Sequence, residues 1–244
     1  MRLHTWGFFV GLGIVCVLWI AYARARRFGL STSRLIDWSV WAIVAAFISA
    51  RIAHVFLYDW PSFAEHPIAI FKIWQGGLSS FGGFLGAAVA SLIYARVKKI
   101  NFWQYADVVM YGFPLGLGIG RLGCFINHLH VGIRSSSFLA VAFPDGPRLD
   151  MGLVESLFGF ALFAVYVFLE RKRPQKNAYL PITMVIYGIA RFFIDFGRAT
   201  DIPNPDVRFI GLTLAQFGSI LLVIGGVIIW RHLFTKKAAR LNIN

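Results

Sequence analysis

Long apolar stretches separated by short, basic connections set the pattern of this chain. A helix needs roughly 17–25 mostly apolar residues to cross about 30 Å of hydrocarbon. Seven stretches are long enough, at about 5–23, 38–58, 77–96, 104–127, 151–169, 178–197 and 210–230. The third, fourth and sixth hold more Gly, Ser or ionisable residues than a lipid-exposed helix should carry. Two segments are too polar or too broken to span. Residues 59–75, with Pro61 and Pro67 ahead of an apolar run at 68–74, read as an arm along the interface, and residues 129–150 as an outer-side loop. The expected fold is all-α: a polytopic membrane protein of seven transmembrane helices, with residues 1–244 forming one integral-membrane domain.

Composition supports this. Hydrophobic residues make up 58% of the chain and charged ones 14%, against roughly half and about a quarter in ordinary globular proteins. Too few polar groups exist to cover a soluble protein. Only Cys16 and Cys124 are present, both in apolar stretches, which excludes a disulfide scaffold. Ala21-Tyr22-Ala23 imitates a signal-peptide cleavage site, but the apolar run before it is too long. Arg24, Arg26 and Arg27 follow directly while only Arg2 precedes it, so the segment reads as a retained helix with the N-terminus outside.

A net charge of +13 raises the question of nucleic acid. A nucleic-acid surface gathers Lys and Arg on one face of a folded domain. Here they punctuate the ends of apolar segments instead, so no nucleic-acid partner is expected. With the N-terminus outside and the C-terminus inside, 15 of the 24 basic residues fall in inner segments and 6 on the outer side. The remaining three, Arg51, Arg121 and Arg191, lie within spans.

Charges in a bilayer are costly, roughly 2.5–3.5 kcal/mol each at mid-depth on the insertion scale, and face a cavity or a partner. Asp107, Glu155 and Asp195 are the acids in or beside spans, and structural ion pairing is the plain alternative for any one of these groups. Around Arg121, glycines at 116, 120 and 123 allow close helix approach. They also bare backbone N–H groups beside a guanidinium, whose planar fork suits a phosphate. A second glycine cluster runs over 76–86 and includes Gly82 and Gly83. In a third motif, Tyr187, Arg191, Asp195 and Arg198 recur at helical spacing, which puts all four on one face lining a cavity.

These motifs, in this order, resemble the prolipoprotein diacylglyceryl transferase family. The matching pieces are the glycine-rich stretch at 76–83, Gly-Arg-Leu-Gly-x-Phe-Ile-Asn at 120–127 and Tyr-Gly-x-x-Arg-Phe with a following Arg at 187–198, and the likeness extends from Trp6-Gly7 to Leu212-Thr213 and Gln216. The resemblance implies transfer of a diacylglyceryl group from phosphatidylglycerol to the lipobox cysteine thiol of a prolipoprotein, with glycerol 1-phosphate leaving. It implies a multi-pass protein of the bacterial plasma membrane with a laterally open, lipid-accessible cavity. Its partners would be phosphatidylglycerol, prolipoprotein signal peptides and the lipid bilayer, and it would use no cofactor and no metal. Arg121 and Arg191 would be catalytic, and Asn127, Gly132, Glu155, Tyr187, Asp195, Arg198, Gly82 and Gly83 would bind substrate.

The chain departs from the family pattern at Trp6 (usually Tyr), Phe81 (usually His), Cys124 (usually Asn) and Leu129 (usually Glu). The element opening the fifth span survives only in part around Glu155, and Asp195 stands for a glutamate. A divergent paralogue that binds anionic phospholipid or uses another acceptor is therefore the alternative. A transporter of anionic solutes would also suit intramembrane arginines, but no internal repeat supports it. His128 and His130 are expected to face water and to be dispensable, the arginine field by itself lowering the pKa of the thiol.

Overall fold

The computed structural model describes residues 2–58, 60–71, 77–172, 177–203 and 205–241. Gly76 of the glycine cluster, the end of the apolar run at 72–74, and Lys72, Arg173 and Lys176 among the basic residues counted for topology lie outside the described residues. In chain order the elements are α1 (Arg2–Arg27), α2 (Thr32–Tyr58), α3 (Trp60–Glu65), a 3-10 turn (Pro67–Phe71), α4 (Ser80–Val97) and α5 (Phe102–Ile126). Strands β1 (Val131–Arg134), β2 (Ala140–Phe143) and β3 (Gly146–Asp150) follow, then α6 (Met151–Lys172) and α7 (Tyr179–Ile194). A 3-10 turn (Asp195–Gly197), β4 (Arg208–Phe209), β5 (Leu212–Thr213) and α8 (Leu214–Leu241) complete the chain.

Six helices are long and apolar enough to cross a bilayer: Thr5–Arg27, Thr32–Leu57, Phe102–Ile126, Met151–Arg171, Tyr179–Gly197 and Leu214–Phe234. The seventh expected span is shorter. Gly77 is left-handed at φ 73°, and the Ser79 side chain accepts from Gly82 N as the N-cap of α4. The helix therefore begins only at Ser80, partway through the glycine cluster, leaving an apolar stretch of Phe81–Val97. At 1.5 Å per residue it falls a few ångströms short of about 30 Å of hydrocarbon. The last span starts later than expected, at Leu214, because Ile210 and Gly211 form the turn of a hairpin. Residues 129–150 are also more than a loop. They fold as an antiparallel sheet of order β1-β3-β2.

The chain forms two compact units, Tyr22–Tyr105 and, separately, Arg2–Ala21 with Ala106–Asn244. In the first, α2 and α4 pack through small residues: a Cβ on Gly82 would collide with Ala53 and the Ser49 carbonyl, and one on Gly86 with Ser49. Arg51 is buried in this unit. Its Nε donates to the Ile70 carbonyl at 2.9 Å, Nη1 to Gly77 at 3.0 Å and Nη2 to Ala69 at 2.6 Å. The guanidinium also stacks over Phe63. It thus holds the arm and the approach to α4 against α2.

In the second unit, α1 and α5 approach so closely that a Cβ on Gly13 would stand 2.7 Å from the Gly116 oxygen. The same holds for Gly159 of α6 against the Pro114 carbonyl of α5, at 2.7 Å. The glycines around Arg121 therefore serve helix packing. Toward the far end of α6 and α7, Leu162, Tyr166 and Tyr179 form a buried cluster. Here Asp107 accepts from the first backbone N–H of α7, Tyr179 N, at 2.6 Å. That bond satisfies a helix-terminal donor with a side-chain acceptor.

Candidate functional site

The site is assembled from the ends of α5, α6 and α7. Asp150 fixes the start of α6: its Oδ1 accepts from Gly152 N at 2.8 Å and Leu153 N at 3.3 Å. The His128 ring holds the other oxygen, Nδ1 lying 2.9 Å from Oδ2. One turn into α6 stands Glu155, 1% exposed. Its Oε2 lies 2.9 Å from Arg121 Nε of α5, and its Oε1 accepts from Arg191 Nη1 of α7 at 2.5 Å. Two arginines far apart in sequence thus meet on one carboxylate.

Asp195, also buried, extends the chain of charges. Its Oδ1 is 3.0 Å from Arg191 Nη2 and 3.0 Å from Arg198 Nε. Arg198 Nη1 reaches Asp206 on the rim at 2.7 Å. Three guanidiniums therefore bear on two buried carboxylates. At five N–H donors each, the three guanidiniums together carry about fifteen, more than the roughly eight lone-pair sites of two carboxylates. Breaking a buried pair costs about 3–5 kcal/mol, because an uncompensated charge stays inside. The arrangement is stable only as a set; with Asp206 on the rim its charges balance, and what it keeps for a further anion is unspent N–H donors.

Tyr187 and Cys124 line the same cluster, the buried Tyr187 hydroxyl and the Cys124 sulfur both interacting with the Arg121 guanidinium. The sequence put Tyr187, Arg191, Asp195 and Arg198 on one helical face. The structure keeps the first three together and corrects the fourth. The helix tightens into a 3-10 turn at Asp195, and Arg198 adopts an extended backbone, φ −74° and ψ 138°. In that form it pairs antiparallel with Gly132, and Ala199 N donates to the Val131 carbonyl at 3.1 Å. At Gly132 a Cβ would come within 2.6 Å of the Leu149 oxygen and 2.9 Å of the Gly197 oxygen, so this close approach excludes a side chain. Asn127 donates to the Gly123 carbonyl at 2.9 Å, closing the end of its own helix. Gly82 and Gly83 belong to the other unit, on the face of α4 that meets α2.

The two histidines part company. His128 is half exposed, in keeping with a residue at the water interface, although the carboxylate of Asp150 does stand beside it. His130 is largely withdrawn from solvent. Burial and the Arg121, Arg198 and Arg191 guanidiniums push its imidazole down to about 3, so it is neutral at physiological pH. The expectation that both rings face water holds for His128 alone.

Thr213 and Gln216, which in the sequence only mark the far end of the family likeness, gain a role here. Thr213 donates its hydroxyl proton to Asp195 Oδ2. The same hydroxyl oxygen accepts from Gln216 N at 3.2 Å, while Gln216 Oε1 accepts from Thr213 N at 2.9 Å. This is a reciprocal capping box at the start of α8, and Thr-x-x-Gln before an apolar run is its sequence signature. Gln216 Nε2 also donates to the Phe192 carbonyl at 3.1 Å, tying α8 to α7.

The family described as prolipoprotein diacylglyceryl transferase matches residues 1–232 of the chain. The phosphatidylglycerol–prolipoprotein diacylglyceryl transferase of Haemophilus influenzae (strain PittEE) is 32% identical over 246 residues, covering 97% of this chain and 90% of that protein. The protein of the same name from Staphylococcus saprophyticus is 35% identical over 243 residues, 94% of this chain and 84% of its own length. That from Bacillus velezensis is 33% identical over 241 residues, with 94% and 87% covered.

Proposed function

Because this chain belongs to the prolipoprotein diacylglyceryl transferase family, we propose that it transfers the diacylglyceryl group of phosphatidylglycerol to the lipobox cysteine of prolipoproteins. The lipobox thiol gives up its proton, its sulfur bonds to the glyceryl carbon, and the bond from that carbon to the phosphate oxygen breaks. Glycerol 1-phosphate departs with the electron pair. The nucleophile belongs to the substrate, so the enzyme supplies charge and position.

The observation that carries this reading is the meeting of Arg121 and Arg191 on Glu155, with Arg198 joined through Asp195. Arg121 and Arg191 act as the catalytic pair, stabilising negative charge as it develops on the leaving phosphate. Tyr187, Glu155 and Asp195 hold them, and Arg198, Asn127 and Gly132 shape the adjoining wall. Gly82 and Gly83 serve the packing of α4 on α2 within their own unit. A thiol near pKa 8.5 is only a few per cent ionised at pH 7, and neighbouring cations raise that fraction. His130 is a poor alternative acceptor, since its proton affinity lies far below that of a thiol.

The proposed topology has seven spans, α4 being the short one, in the bacterial plasma membrane with the N-terminus outside. The 15-to-6 division of basic residues supports it. Reporter fusions should place Lys98 and Lys172 on the same side. The activity is tested with the purified protein in phosphatidylglycerol vesicles and a lipobox peptide. The peptide should gain a diacylglyceryl thioether as glycerol 1-phosphate appears. Phospholipid binding without either product would overturn the proposal and favour a lipid-binding paralogue.

A further inference from the structure

The segment joining α7 to α8 contains a tight hairpin. Arg208 pairs with Thr213 and Phe209 with Leu212, leaving Ile210 and Gly211 as a two-residue turn. Both turn residues are left-handed, at φ 53° and 78°. Such turns favour Asn-Gly or Gly-Gly, because a β-branched residue with positive φ sets its Cβ against the backbone. The residue at the strained position is nonetheless isoleucine, and it is 98% exposed. Phe209 beside it is 53% exposed and Val207 67%. A single exposed apolar side chain is ordinary. Three around a turn whose backbone selects against one of them suggest an apolar surrounding.

The hairpin has little freedom to leave the membrane surface. α8 begins four residues after Ile210, and four residues of chain reach at most about 14 Å. Leu214, Phe217 and Leu221, at helical spacing on α8, and Phe193 and Phe196, where α7 ends, are exposed apolar residues as well. Arg208, between Val207 and Phe209, makes no ion pair among the described residues, and its buried Nε has no acceptor there. Arg134, Arg148 and Arg198 each have a carboxylate.

We propose that the β4–β5 hairpin is a membrane-contact element, Phe209 and Ile210 entering the interfacial layer of the bilayer while Arg208 takes the phosphate of an anionic phospholipid. An apolar tip flanked by a basic side chain is the usual design of interfacial anchors. Thr213, at the base of the hairpin, donates to Asp195 and so links this contact to the arginine cluster. The membrane contact rests on the multi-span fold; its value for catalysis rests on the transferase reading.

Two measurements test the proposal. A spin label is placed at Ile210→Cys, or at the exposed Ser136→Cys as reference, in protein carrying Cys16→Ser, and reconstituted in vesicles of phosphatidylglycerol and phosphatidylcholine. At 210, dissolved oxygen should relax the label more than a water-soluble nickel chelate does, with the opposite order at 136. A label at 210 bathed in water overturns the proposal, whether or not the protein transfers anything. A label shielded only after lipobox peptide is added also overturns it and assigns the tip to the peptide. In the transfer assay, Arg208→Gln should raise KM for phosphatidylglycerol about tenfold at unchanged kcat. Ile210→Asn suits the turn and should keep or raise the thermal midpoint while raising the same KM. Unchanged KM in both variants removes the headgroup contact.

Discussion

Two arginine clusters in this molecule look alike in a list of contacts and differ in what they leave over. Arg148 spends its whole fork. Nε donates to both oxygens of Asp145 at 3.0 and 2.9 Å, and Nη1 to the Gly132 carbonyl at 3.2 Å and to Asp201 at 2.8 Å. Nη2 divides between Asp145 at 2.5 Å and Asp201 at 2.7 Å. Arg134 adds looser contacts to the same two acids. Two guanidiniums on two carboxylates make a closed clasp that fastens β3 to the segment after α7. Hydrogen bonds from Arg148 hold Asp201 down at about 2 and keep Asp145 below the usual carboxylate range, and the two acids raise Arg148 in turn. The Arg121–Arg191–Arg198 cluster divides three forks between two buried acids and Asp206 on the rim, and its unspent donors stay open to an anion. Saturation of donors, more than their number, separates a structural arginine from one that can receive a phosphate.

The comparison is broken most forcefully at Glu155. Glu155→Gln leaves two buried guanidiniums without their shared carboxylate, and a stability loss of about 3–5 kcal/mol is expected, measured by denaturant unfolding in detergent. Phosphatidylglycerol should restore part of it by linkage. The same lipid should do nothing for Asp201→Asn, where the clasp has no room for an anion, and equal rescue of both would erase the distinction. Next, Arg191→Ala should lower transfer by about 10²–10³-fold, the usual cost of one oxyanion-stabilising donor. Arg191→Lys should not recover it, because an ammonium lacks the planar fork. Arg148→Ala should spare transfer to within about tenfold and lower the thermal midpoint instead.

A smaller effect is expected from His128→Ala with His130→Ala. Transfer should fall by less than the roughly hundredfold minimum for loss of a general base. A larger loss with intact folding would make one of these rings the thiol's acceptor. The smallest effect is the acid response of the clasp. The folded Asp201 carboxyl lies below its ordinary value of 3.8, at about 2. Its contribution to stability is therefore complete above the ordinary value and is lost as pH falls toward the folded one. The protection of the Ala199 and Ser135 amides against exchange, taken relative to the intrinsic rate at each pH, should fall over that window and hold steady from pH 5 to 8.

The sequence made the charged site conspicuous and its supports obscure. Arg121, Glu155, Arg191 and Asp195 stand out because ionisable groups in apolar runs are costly, and all four meet. Six of seven expected spans are long enough for the same elementary reason, the length of hydrocarbon to be crossed. The seventh was overestimated, because Gly77 and Ser79 look permissive in a hydropathy window yet act as a left-handed residue and a helix cap. The β1-β3-β2 sheet leaves one local mark in the sequence, since Pro144-Asp145-Gly146 between apolar positions is a turn signal. Hydropathy shows of this region only that it is too polar to span. Thr213 and Gln216 carried a legible capping signature, but nothing in the sequence could show that the capping hydroxyl also reaches Asp195. His130 is the harder case. Its withdrawal from water depends on the start of α6, where Met151 N donates to the His130 carbonyl at 2.9 Å, and on the bridge between Gly132 and Arg198.

The shared carboxylate of Glu155 also bears on how the protein is made. Arg121, Glu155 and Arg191 lie on three consecutive spans and emerge from the ribosome in that order. A lone Arg121 in hydrocarbon is disfavoured by about 2.5–3.5 kcal/mol. α6 brings the neutralising acid, and α7 then brings a second cation to the same acid. At about 5–20 residues per second, the three spans arrive within seconds of one another. Their release from the insertion machinery into lipid should therefore be collective, α5 held back until its partners come. A truncated chain ending after α5 should stay associated with the translocon, whereas one ending after α7 should partition into the bilayer.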